Sequence, residues 1–164
     1  MRGDVKRSMK QLDFSNLLIE RRDNHGVLSF FAQTSKRGKG ASAVAKAAYH
    51  SGERLSDSYY GNVHDYTKKA GIVYKEIFLQ PHAPERLKDR ETLWNEVEQI
   101  EKNKRAQLAN NFEIALMNEF TMEENIMLAK IFVQEQFVAR GMIADVAIHD
   151  PPRKPGKNPT HIFM

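Results

Sequence analysis

Apolar and polar positions along the chain fall into short blocks whose period switches between two residues and about 3.6. Residues 26–33, GVLSFFAQ, form a compact apolar and aromatic run bounded by a glycine and a basic loop, which predicts a strand. The loop TSKRGKG follows, with two glycines able to take positive φ. Ser42 then stands where an N-cap opens a helix through AVAKAAYHSGER. The polar, turn-rich SDSYYGNVHDYTKKAG reads as an excursion over the surface. Residues 71–79, GIVYKEIFL, predict the next strand. A long charged helix is expected over 83–104, with Leu87, Leu93, Trp94, Val97 and Ile100 on its apolar stripe. FEIALM at 112–117 reads as a strand, and 122–140 as an amphipathic helix ended by Gly141. MIADVAIH at 142–149 reads as a further strand. After the proline-rich PPRKPGKNP, residues 160–164 begin another apolar run.

The order β-α-loop-β-α-β-α-β-β lacks the crossover repeats of a parallel sheet and predicts an α+β fold, a mainly antiparallel central sheet with packed helices. Residues 1–25 carry only a weak apolar cluster and read as an N-terminal extension, leaving 26–164 as one domain. A final strand that stops at Met164 leaves the sheet unfinished, so the expectation is a domain truncated at its C-terminal side.

Alternation in MIADVAIH puts Ile143, Asp145, Ala147 and His149 on one face and Ala144, Val146 and Ile148 on the other. One face is purely apolar and the other ends in a histidine. A hairpin over the following loop would bring His161 towards His149, a half-site for a divalent metal, with Asp145 or Asp150 as ligand or as the group that fixes an imidazole tautomer. The plainer alternative is two surface histidines.

Charge concentrates this chemistry. Net charge is +4, yet residues 1–49 hold ten Lys/Arg against four Asp/Glu, and the remainder fifteen against seventeen. A basic end suits a polyanion, since phosphate contacts give sequence-independent, salt-dependent affinity. A solvated basic tail is the bland alternative. Tyr49 follows the basic loop in a run of small residues. Such a tyrosine is ordinarily half-buried packing. With Lys36, Arg37 and Lys39 before it, Arg54 after it and a candidate metal pair downstream, it suggests attack of the phenol on a phosphodiester. A phenol titrates at about 10, so that reaction needs a nearby cation, metal or base.

Cysteine is absent, which excludes disulfides and thiolate metal sites. No apolar run approaches the roughly 18 residues of a membrane span, and the charged N-terminal segment lacks a secretory signal pattern. A cytoplasmic location with no membrane role is the expectation.

The segments SAVAKAAYHSGERL, HDYTKKAGIVYKEIFL, PERLKDRETLWNEVEQIEKNKRAQLANNFEIAL and FVQEQFVARGMIADVAIHD together resemble the MobA/MobL relaxases of mobilisable plasmids and conjugative elements, in the family's order, over about residues 28–164. The resemblance implies the N-terminal relaxase domain of a HUH-type endonuclease, which nicks one DNA strand at an origin of transfer through a covalent 5′-phosphotyrosyl link. It implies Tyr49 as the nucleophile. His149 matches the first family metal ligand, and the segment 158–161, Asn-Pro-Thr-His, approaches the His-x-His pair. His161 is therefore the second ligand and the third stays open. The implied cofactor is Mg2+ or Mn2+. The implied partners are single-stranded or hairpin DNA at the transfer origin, accessory mobilisation proteins and a coupling protein. Lys36, Arg37, Lys39 and Arg54 are the expected phosphate contacts. The chain departs from the family at Ala109-Asn110-Asn111, where Ala-Arg-Glu is common, and at Leu116-Met117, where Leu-Pro is common. A catalytically inactive, truncated DNA-binding remnant is the alternative, and a domain with no DNA role is the third.

Overall fold

A computed structural model of the chain describes residues 30–37, 42–103, 105–117, 119–150 and 161–163. In chain order its elements are β1 (Phe30–Lys36), α1 (Ala43–Ser51), β2 (Arg54–Asp57), β3 (Asn62–Asp65), β4 (Ile72–Phe78), α2 (Arg90–Ile100), β5 (Gln107–Ala115), α3 (Met122–Gln136), β6 (Ala144–His149) and β7 (His161–Phe163). Short 3-10 turns precede α2 and follow α3.

Five strands form one sheet in the order β1-β5-β7-β6-β4, and every neighbouring pair is antiparallel. The expected α+β architecture is the one observed. Alternation on β6 sorts the layers. Ala144, Val146 and Ile148 pack with Ile114 of β5 and with Ala129, Val133 and Val138, so α3 covers that face. Asp145 and His149 meet α1 and α2 on the other face. Val44, Ala47, Ala48 and Leu55 form a second apolar cluster there, with Trp94 and Tyr66 against it.

Three expectations are corrected. The excursion after α1 is a hairpin, β2 paired antiparallel with β3, because its turn and short strands offered too little periodicity to be read as strands. The long charged helix is interrupted. Residues 85–88 form a 3-10 turn after Pro84, and Asp89 then caps α2, its side chain accepting from the N–H and the hydroxyl of Thr92. Ile100, assigned to the apolar stripe, ends that helix 73% exposed. β5 begins at Gln107, five residues earlier than expected, because its alternation includes polar Asn110 and Asn111, which bond across to β1 instead of entering a core. The proposed extension, residues 1–25, lies outside the described residues.

Candidate functional site

Helix α1 is a short rod locked at both ends, and Tyr49 sits near its C-terminal end. The Ser42 side chain accepts from the N–H of Ala45 at 3.0 Å, the N-cap bond that the sequence suggested. Ser42 in turn donates its hydroxyl proton to Asp57 of β2. Glu98 of α2 accepts the N–H of Ala43 at 2.7 Å, placing a carboxylate at the positive end of the helix. At the other end Gly52 takes the left-handed conformation, φ 63°, and a Cβ there would run into Cδ1 of Ile72. The helix therefore stops before Arg54, which instead opens β2. Its small residues, Ala43, Ala47 and Ala48, are buried and allow close approach to the sheet, while Tyr49 is left 47% exposed.

Tyr49 is oriented by its neighbours. Its ring meets Tyr66 edge-on at 5.3 Å and His50 at 5.4 Å. The ammonium of Lys69 stacks on the ring, 3.4 Å from its centroid, and donates to the Tyr49 carbonyl oxygen at 2.7 Å. Lys69 stands in the loop after β3, and partial burial lowers its pKa. No reading of the sequence singled it out. Its distance of twenty residues from Tyr49 hides the contact, and the basic pair at 68 and 69 was the only signal.

Beyond the end of α1, His149 of β6 and His161 of β7 are directly opposite each other in the strand register. Paired residues in an antiparallel ladder share a face. His149 is 9% exposed, and its Nε2 lies 2.6 Å from the carbonyl oxygen of His50. Carbonyls only accept, so Nε2 donates in this contact, and Nδ1 is the ring nitrogen through which a neutral imidazole would ligate a metal. A carbonyl holding the other ring nitrogen is also the usual support of a metal-bound histidine. The strand register thus brings two histidine positions together at the backbone level. Among the described residues, no group of three or more His, Asp or Glu gathers as a complete metal site. The His50 ring lies 6.2 Å from that of His149. Burial, followed by the charges of Lys69, His149 and Lys46, brings the His50 pKa down to about 4, so it is neutral at neutral pH.

Asp145 does not join the histidines. Its carboxylate accepts from Arg90 of α2 at 2.8 to 3.0 Å and from Trp94 Nε1 at 2.8 Å. The expected ligand or tautomer-fixing role for Asp145 is therefore corrected to a brace between α2 and β6. Arg90 extends the brace to Glu53 at 2.7 Å, just after α1, and Lys75 of β4 reaches the same carboxylate at 2.6 Å. The N–H of Asp150 donates to the carbonyl of Gly71 at 2.7 Å.

The expected phosphate contacts separate. Lys36 is exposed, and the Arg54 side chain is 65% exposed, 3.8 Å from Asp65. Arg37 is not on the surface: its side chain is 5% exposed, bonded through Nε and Nη2 to Glu98 and through Nη2 to the Glu98 carbonyl oxygen, with Nη1 on the Glu101 carbonyl oxygen. A phosphate role for Arg37 is corrected, because its guanidinium already neutralises a fully buried carboxylate. Lys39 lies outside the described residues. Glu98, which ties β1, α1 and α2 together, was hidden by a charged sequence context in which a surface role is the ordinary assignment.

Among the described residues, no helix is long and apolar enough to cross a membrane. The model of the MobA/MobL family matches residues 41–164. The conjugal transfer protein TraA of Agrobacterium fabrum is 36% identical over 139 residues, covering 79% of this chain and 13% of TraA. The mobilization protein MobL of Acidithiobacillus ferridurans is 37% identical over 120 residues, covering 73% of this chain and 31% of MobL. A chain from the solved structure described as "Molecular Basis of Vancomycin Resistance Transfer in Staphylococcus aureus" superposes with a TM-score of 0.75 at 36% identity, covering 84% of this chain and 69% of that one. The chain thus spans 13% to 31% of the length of these two curated relatives. With the family match extending over most of its residues and a solved relative sharing both sequence and fold, this chain belongs to the MobA/MobL family of conjugal transfer and mobilisation relaxases.

Proposed function

We propose that this chain is a HUH-type relaxase domain that nicks one strand of DNA at an origin of transfer, with Tyr49 as the nucleophile. The observation that carries the proposal is the convergence of the exposed Tyr49 end of α1 with the registered pair His149 and His161. Tyr49 Oη attacks the phosphorus of a phosphodiester. A bond forms between Oη and phosphorus while the bond from phosphorus to the 3′-oxygen breaks. The phenol proton passes to solvent, and the leaving 3′-oxygen takes up a proton. The product is a 5′-phosphotyrosyl link, and the reverse reaction rejoins the strand. The phosphodiester energy is conserved, so no nucleotide is consumed.

The chain's own residues supply position. Lys69 and Tyr66 hold the ring, the brace of Arg90 and Asp145 fixes α2 on β6, and exposed Lys36 and Arg54 attract the strand. His149 and His161 would hold Mg2+ or Mn2+, which supplies charge neutralisation at the scissile phosphate. Origin DNA is the substrate, and accessory mobilisation proteins and a coupling protein are the partners this activity calls for. The test is formation of an SDS-resistant protein–DNA adduct from pooled single-stranded oligonucleotides with Mn2+. Adduct from the wild type and none from Tyr49→Phe is the expected result; an adduct that survives the substitution would move the nucleophile elsewhere.

The incomplete His-x-His segment, Thr160-His161-Ile162, favours a second reading, a DNA-binding remnant without turnover. It expects salt-sensitive binding and no adduct with any divalent metal.

A further inference from the structure

The turn of the β2–β3 hairpin presents two aromatic rings to water. Tyr59 is 48% exposed and Tyr60 39%, and their rings meet edge-on with centroids 4.8 Å apart. This turn is rigidly held. Asp57, 1% exposed, accepts the N–H groups of both Tyr59 and Tyr60 at 3.1 Å, while its other oxygen binds Ser42. Asn95 of α2 accepts the N–H of Ser58 at 2.8 Å and donates to the carbonyl of Ser56 at 2.7 Å. Gly61, φ 68°, closes the turn. Behind Tyr59, the guanidinium carbon of Arg37 lies 4.5 Å from the ring centroid, and Glu98 holds that guanidinium in place.

Buried anchors thus fix the backbone that carries two half-exposed rings, and Arg37 backs the Tyr59 ring. A solvated turn needs no such support, whereas base stacking needs rigid, accessible π-faces beside positive charge. We propose that Tyr59 and Tyr60 form a stacking platform for unpaired bases of single-stranded DNA, an inference that rests on the relaxase reading. Its location fits that substrate. The hairpin runs from Arg54, just past the C-terminal end of α1, back to Asp57 on the helix's N-cap. The nine residues of α1 span about 13 Å, so a strand whose phosphate lies at Tyr49 can lay a nearby base on the rings. Exposed Lys36 at the end of β1 favours a polyanion over an uncharged peptide.

The experiment compares binding of fluorescent oligothymidylate with an abasic oligonucleotide of the same length, by anisotropy at fixed low salt. The wild type is expected to bind the base-containing strand about tenfold more tightly. Tyr59→Ala and Tyr60→Ala lose about that factor on oligothymidylate and little on the abasic strand, while the corresponding Phe variants, which keep the rings, retain it. Equal wild-type affinity for the two oligonucleotides overturns the platform and leaves the relaxase reading intact; this comparison does not depend on the variants folding. Ala variants that keep the wild-type preference overturn it equally. No wild-type binding to either strand overturns both.

Discussion

Lys69 holds Tyr49 twice, its ammonium lying 3.4 Å from the ring centroid and 2.7 Å from the Tyr49 carbonyl oxygen. One contact restrains the ring and the other places positive charge at the C-terminal end of α1, where the helix dipole is negative. The loop after β3 is thereby tied to the residue proposed to react.

Lys69→Met should therefore release the ring. Stability is expected to fall by about 1 kcal/mol, and single-turnover adduct formation by about tenfold, with DNA affinity changing much less. Lys69→Arg, which keeps a cation, should recover most of the rate. Parallel measurement of adduct rate and binding separates the effects; equal losses in both would identify Lys69 as a DNA contact instead.

The Arg37–Glu98 pair should behave as structure, not as DNA contact. Its side chains are 5% and 0% exposed, so Glu98→Gln strands a buried guanidinium and weakens the cap on Ala43. A loss of about 3 kcal/mol or more in urea unfolding is expected. Removing a phosphate contact has another signature. Lys36→Ala should reduce the slope of log affinity against log salt by about 1. A Lys36 variant with an unaltered slope would take that residue off the DNA path.

Acid should weaken the brace at Glu53. Burial pushes this carboxyl up, but hydrogen bonds and charge from Lys75 and Arg90 outweigh it and hold the pKa below the ordinary value of 4.5. A carboxylate with a depressed folded pKa stabilises the fold above its unfolded pKa, and that contribution disappears as pH falls through the folded value. Glu53→Gln should thus be less stable than wild type at neutral pH, with the gap closing in acid. Urea midpoints from about pH 7 to about pH 3 measure it; a gap of constant size would exclude the linkage.

Metal binding should depend on both strand histidines. Calorimetric titration with Mn2+ is expected to show stoichiometric binding that His149→Ala and His161→Ala each abolish, because two donors are the minimum the register brings together. Retained binding in either variant would place the cation elsewhere.

Local patterns were legible wherever the nearest neighbours in sequence carried the physics. Ser42 as N-cap and the two faces of β6 follow from side-chain chemistry and a two-residue period, so both appear in the structure as the sequence suggests. The hairpin of β2 and β3 was less legible, because four-residue strands with polar positions give too short an alternation.

By itself, the sequence determined the alternation of elements, the α+β class, the concentration of basic charge and the position of Tyr49 in a helix of small residues. Those properties depend on residue type and spacing within a few positions. Only the tertiary structure decided that Arg37 is buried against Glu98, that Asp145 serves Arg90 and Trp94, and that Lys69 covers the Tyr49 ring. Each pairing joins residues twenty or more positions apart, and a charged side chain has the same local signature whether it faces water or a buried partner. Which it meets is set by how the helices cross the sheet.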